Sequence, residues 1–275
     1  MPEVLVMLSS FFDDSGALKR EPKVAVVGGY VALSDRAIAL QEDWRRRFNL
    51  DGVKSFHMAD FESCLGEYVG WQKDDAAKAK RRFHIESLAY FLNLRSLHYV
   101  GAGILIDVFD SVIGERLNAE EQRNLGGPHA FCFQCCIIEL SNWIRENMPR
   151  EIVDVFYEDG TKLGSEILRL YVETTTVQTL REKYKISQIA PLAKDSSIGI
   201  LPADLVAYEL FKYHFNRLDE PDRALRKLCE KILAGKESHG KFFSDPRGIH
   251  QYLDILERAG ALKGDYSHKS VGEVL

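Results

Sequence analysis

Two aspartates stand where a folding chain could bring charge into a confined site. Asp13 closes an apolar run, Val4-Leu5-Val6-Met7-Leu8-Ser9-Ser10-Phe11-Phe12, and is followed by Asp14-Ser15-Gly16. Asp204 stands in Leu201-Pro202-Ala203-Asp204-Leu205-Val206-Ala207-Tyr208. Carboxylates drawn together from such distant positions repel one another unless a cation lies between them. A divalent cation held by carboxylate oxygens is a phosphoryl-transfer device, because it activates water and relieves charge on the leaving oxygen. Mg2+ or Mn2+ is the expected cofactor, since hard ions that keep several waters need only a few such side chains. Each aspartate also has a structural rival: Asp13 can cap the turn at Ser15 and Gly16, and Asp204 can complement a helix dipole from the first turn.

The elements that must position these residues follow from pattern. The run before Asp13 is apolar on both faces, as a central buried strand is. Lys23 to Leu33, rich in valine, predicts a second strand and a hairpin with a longish loop. Gly28-Gly29 in its middle marks a bulge or a close backbone approach. From Ser34 to Asn93 the pattern turns helical: Ser34-Asp35 caps a helix reaching about Phe48, Phe56 to Phe61 is irregular, and Asp74 to Leu94 is a long charged helix. A strand is expected at about His98 to Val108 and an apolar helix from Pro128 to Asn147. Another strand, Ile152 to Tyr157, ends in Glu158-Asp159-Gly160. Ser165 to Lys183 predicts a helix and Ile186 to Ala190 an edge strand. Pro202 takes the first position of the helix that carries Asp204, where its missing N–H costs nothing. The tail, 221–275, reads as two helices and a charged end.

Strand–strand, then alternating strands and helices, gives an α/β fold: a mixed sheet flanked by helices. With the helical insertion at about 34–97 removed, the order matches the ribonuclease H-like plan of a mixed five-stranded sheet, three strands antiparallel and two parallel to the first. The domain spans 1–220, and 221–275 is a helical C-terminal extension packed on it. In that plan the strand ending at Asp13 neighbours the strand ending at Glu158 and Asp159, so both acids reach one edge, where open α/β sheets bind ligands.

Composition is that of an ordinary globular protein: 275 residues, 45% hydrophobic, 28% charged, net charge -5. That balance supplies no global field for nucleic acid; Arg45-Arg46-Arg47 and Lys78, Lys80, Arg81, Arg82 are the candidates for a local basic surface. Five cysteines, an odd number, favour reduced thiols and a cytoplasmic setting. Cys132 and Cys135 have a zinc-like spacing, but no second pair follows and their surroundings read as a buried helix. No run is long enough to span a membrane, and the start lacks the basic region of a signal peptide. Walker, dinucleotide-binding and HExxH motifs are absent from the sequence.

Four stretches also resemble domain-of-unknown-function family 3800 in order and spacing. Phe12-Asp13-Asp14-Ser15-Gly16 resembles its "YIDESG" opening, and Val26-Val27-Gly28-Gly29-Tyr30-Val31 its second strand. Phe56-His57-Met58-Ala59-Asp60-Phe61 resembles its "IHASEL" stretch, and Leu201 to Tyr208 its "LQLADLVAY" helix. The resemblance implies a ribonuclease H-like fold and a metal-dependent nuclease acting on DNA or RNA. It places the metal ligands on Asp13, Asp204 and either Glu158 or Asp159. It adds Glu139, an acidic residue in the middle of the apolar helix, as a further catalytic carboxylate. It also adds His57, the histidine of the third motif, as a proton shuttle or phosphate contact. Asp14 stands for the family's glutamate, Leu201 for the glutamine of "LQLAD", and Ser55 for a glutamate before the histidine. The competing expectation is a non-catalytic scaffold or interaction subunit that keeps the fold, forming a homodimer or binding a partner protein.

Overall fold

A computed structural model of the chain describes residues 7–17, 23–159, 182–193, 197–236 and 238–258. Its centre is a mixed six-stranded sheet. The strands are β1 (Met7–Ala17), β2 (Val24–Leu33), β3 (His98–Leu105), β4 (Ile152–Glu158), β5 (Ile186–Leu192) and β6 (Ser238–Phe243), in the order β5-β4-β1-β2-β3-β6. β1, β2 and β3 pair antiparallel; β4 runs parallel to β1, β5 to β4 and β6 to β3. Helices α1 (Ser34–Asp51), α2 (Met58–Ser63) and α3 (Asp75–Arg95) lie between β2 and β3. They are followed by α4 (Ile106–Arg116), α5 (Ala119–Leu125), α6 (Pro128–Asn147), α7 (Leu201–Asp219), α8 (Lys227–Leu233) and α9 (Pro246–Arg258).

Two features correct the expectation. The sheet has six strands rather than five, because β6 lies in the tail expected to be helical. Ser238-His239-Gly240-Lys241-Phe242-Phe243 hides its strand character, since only its last two residues are large and apolar. Those two face opposite sides: Phe243 meets Phe131 of α6, and Phe242 stacks on His214 of α7. The chain after Leu105 forms α4 and α5, a stretch to which the pattern assigns no helix. The helix expected over Ser165–Lys183 falls almost wholly outside the described residues.

Strand alternation divides the sheet into two faces. On one, Phe12, Val27, Val100, Ala102, Val155 and Tyr157 meet α4, α6 and α9. α6 is apolar nearly all round, as a helix buried on a sheet must be. Cys132 and Cys136 point to the carbonyls of Ala25 and Val27, and burial pushes both thiols up. The cysteine spacing is therefore core packing.

The other face carries Phe11, stacked between Tyr30 and Phe156, and is covered by α1, α3 and α7. Here glycine decides how near α7 comes. Gly28 pairs with Gly101, and Gly101 with Gly240, so a trough without side chains crosses three adjacent strands. A Cβ on Gly28 would stand 2.9 Å from the Ala207 Cα, and one on Gly101 would collide with Leu210. This is the close approach that the glycine pair of β2 predicts. Among the described residues, no helix is long and apolar enough to cross a membrane.

Candidate functional site

The trough sets where the first turn of α7 lies. Ala207 stands over Gly28 of β2 and Leu210 over Gly101 of β3. One helical turn advances about 5.4 Å, close to the spacing of about 4.8 Å between strands. Stepping back one turn from Ala207 therefore puts Asp204 over β1. Asp13 is the β1 residue paired with Gly28, and cross-strand partners share a face, so Asp13 points to the α7 side.

Glu158 joins them by the same logic. β1 and β4 pair in parallel up to Phe12 and Tyr157, and the next residues on the two strands are Asp13 and Glu158. Glu158 shares its face with Phe156, which stacks on Phe11 two residues before Asp13. Of the two acids left open by the sequence, alternation selects Glu158. Asp159 lies past the end of β4 with its side chain exposed, and its N–H continues the ladder to the Leu192 carbonyl at 2.9 Å.

Asp13 is 2% exposed and Asp204 5%. Asp13 Oδ1 accepts the N–H of Asp14 at 2.7 Å. Asp14 faces the opposite side, with Oδ2 3.7 Å from His129 Nε2. Asp204 Oδ2 accepts the Met58 N–H at 3.0 Å. Since α2 lacks a side-chain cap of its own, Asp204 satisfies the first orphan donor of that helix. His57, the residue before Met58, is half exposed, with Nδ1 3.5 Å from Asp60 Oδ2. The turn of the insertion that carries the histidine motif is thus fastened to α7 at Asp204.

Glu139 does not join this group. It lies on α6, on the other face of the sheet, and its carboxylate meets Lys241 of β6 at 2.6 Å. β6 is three strands from β1, roughly 14 Å away. Its helical phase turns Glu139 towards the β3–β6 edge, which only the unforeseen sixth strand supplies with a lysine. The basic runs are largely taken up by intramolecular partners. Arg47 pairs with Asp51 and Arg46 with Asp43; Lys80 covers the Trp71 ring and Arg81 the Phe61 ring.

Three oxygen-donor side chains on one face suit a hard divalent ion in chemistry. Their spacing is wider than a coordination shell: among the described residues, no three His, Cys, Asp or Glu side chains stand close enough together to hold a metal ion.

Two polar clusters escape sequence reasoning. In the insertion, Asp51 accepts from Arg47 and meets buried His84 at 2.6 Å inside a box of Phe48, Phe61, Tyr68 and Trp71. Burial works to raise Asp51, but hydrogen bonds from Arg47 and His84 outweigh it and hold the carboxyl below its usual range. On α7, Glu209 is 2% exposed. It faces Arg226, which also pairs with Glu62 of α2. Apart from the i,i+4 spacing of Arg47 and Asp51, no spacing in the sequence announces either cluster, because each joins residues brought together only by helix packing.

No family model matches the chain, and no curated protein matches it.

Proposed function

We propose that the chain is a divalent-metal-dependent phosphodiesterase of ribonuclease H-like architecture, related to domain-of-unknown-function family 3800 and hydrolysing DNA or RNA. The observation that supports it most is the shared face of Asp13, Glu158 and Asp204, carried by two neighbouring parallel strands and the first turn of the helix laid across them. The order of the first five strands, with β4 beside and parallel to β1, is the arrangement that architecture requires. Asp13, Glu158 and Asp204 would hold the ions, and Mg2+ or Mn2+ would supply an activated water and charge relief at the phosphate. His57, half exposed and one residue before the Asp204 contact, would meet a phosphate oxygen or move a proton.

The test is metal-dependent melting together with cleavage of labelled single-stranded DNA, duplex DNA and RNA. At a hundredfold excess of Mn2+ over Kd, the wild type should melt roughly 5 °C higher. Asp13→Asn should remove both the shift and the cleavage. A wild type that neither shifts nor cleaves, or a shift that survives in both Asp13→Asn and Asp204→Asn, would sink the reading.

One observation favours a second reading, a non-catalytic interaction subunit: Asp204 already serves as the cap of α2. That reading expects no Mn2+ effect and a stable oligomer or complex. Its surface would be the outer side of α3, where Phe83, Tyr90 and Leu94 are exposed.

A further inference from the structure

The glycine trough is longer than the part α7 fills. Beyond Leu210, bare backbone at Gly101 and Gly240 forms the floor of a cavity of about 320 Å³, roofed by α7 and α8. Its walls are mostly apolar, with Val206, Leu210, Cys229 and Ile232 among them. Ser238, His239 and Gly240, exposed on the edge strand β6, also line it. That volume is at the lower end of small-molecule sites, and an apolar wall with few polar groups is their usual character.

One wall group is costly where it stands. Glu209 lines the cavity and is buried, yet neither carboxylate oxygen accepts a hydrogen bond among the described residues. The nearest cation, Arg226, lies 3.5 Å away, and its guanidinium is engaged by Glu62. Burial accordingly pushes Glu209 up to about 7 against the pull of Arg226. A second wall group, His214, also has its Nε2 buried without a hydrogen-bond partner among the described residues. Burial pushes its imidazole down to about 4, so it is neutral and adds no positive charge. A buried acceptor without a donor is normally avoided, and it marks a place where a ligand can supply one. An anion would be repelled by Glu209, and a plain hydrocarbon would leave it unsatisfied.

We propose that this cavity binds a small organic amine, its apolar body against Val206, Leu210 and Ile232 and its ammonium group donating to the carboxylate of Glu209. This site is separate from the carboxylates over β1 and does not depend on the phosphodiesterase reading. It is, however, built on the same helix. Asp204 holds the start of α2 and Arg226 holds its Glu62, so α2 is tied to α7 beside both sites.

The experiment titrates the full chain at pH 8 with 2-phenylethylamine and with 2-phenylethanol, an uncharged analogue of similar shape, by calorimetry. The amine should bind at least tenfold tighter than the alcohol. Glu209→Gln, which keeps the shape, should bring the amine down to the alcohol's affinity. Gly240→Leu should abolish binding of both; its new Cβ would meet only the Gly101 carbonyl at 3.4 Å, so the strand can accept it. Circular dichroism matched to the wild type shows that both variants are folded. Failure of the amine to bind, equal affinity for amine and alcohol, or a preference that survives Glu209→Gln would each overturn the proposal.

Discussion

The two faces of one sheet are built on opposite rules. Under α6 side chain packs on side chain: Phe12 meets Phe133 edge-on, Phe133 meets Tyr157, and Phe131 meets Phe109, Phe243 and Tyr252. Its polar groups are thiols, hydroxyls and ionisable side chains that are engaged, Glu139 by Lys241, Asp14 beside His129, and His98 stacked on Trp143. Under α7 the packing is backbone against backbone across a glycine trough, and ionisable groups sit at its margins: Asp13, Asp204 and Glu209 are all buried. Burying charge is costly, so a fold that does it on one face needs a dry, close-packed opposite face to remain stable. Packed aromatic rings are concentrated under α6 and buried, hydrogen-bond-poor acids under α7.

The comparison can be broken most directly at α6. Phe133→Ala should cost about 3–5 kcal/mol in urea unfolding, because the cavity it leaves cannot collapse between α6 and the sheet. A loss below about 1 kcal/mol would show that this face is not the stabilising one.

The next effect lies under α7 and is read by pH. Glu209 in the folded chain titrates at about 7 against an ordinary value of 4.5. Between those values the folded state keeps a proton that the unfolded chain has released. Its contribution therefore falls as pH rises through that window and stays low above it, by an amount on the order of 3 kcal/mol. Arg226, Glu62 and Lys212 are the charges that bear on it. His214 works in the opposite sense: at about 4 against 6.5, it contributes stability that is lost as pH falls through that range. The wild-type curve mixes the two, so the informative quantity is the difference between wild type and Glu209→Gln. The variant should gain relative to wild type as pH rises from 4.5 to 7. A flat difference would mean that Glu209 is solvated.

A smaller change sharpens the role of the trough. Gly28→Ala places a methyl against the backbone of Ala207 and must lift α7 by a few tenths of an ångström. It should cost about 1–3 kcal/mol, as overpacking does. It should also weaken any Mn2+-dependent rise in melting temperature, since Asp204 moves away from Asp13. Smallest of all, His57→Ala at a half-exposed position should change stability by under about 0.5 kcal/mol. In the phosphodiesterase reading it should still reduce cleavage. A large stability loss there would make His57 a structural residue.

Much of the frame was legible because local pattern determines it. The hairpin of β1 and β2, the helical insertion, α6, β4 and the start of α7 to within one residue of Pro202 follow from periodicity, glycine and proline alone. Elements without a local signature were not legible. α4 and α5 are short and form against β3 and α6, and β6 is a polar hexapeptide that becomes a strand only because β3 offers it an edge. Glu139 shows the limit for a site residue: its place on an apolar helix was plain, but the partner that claims it, Lys241, stands on that unforeseen strand.

The sequence by itself determined that an acid ends a central strand, that another opens a helix, and that the chain is rich enough in apolar runs to bury the region around them. Only the tertiary structure decided that Glu158 rather than Asp159 stands beside Asp13, and that Asp204 comes down over β1. It also decided that Glu209 is shut into a cavity rather than left in solvent. The reason is register: Gly28, Gly101 and Gly240 are far apart along the chain, and only strand pairing aligns them into the trough that admits α7.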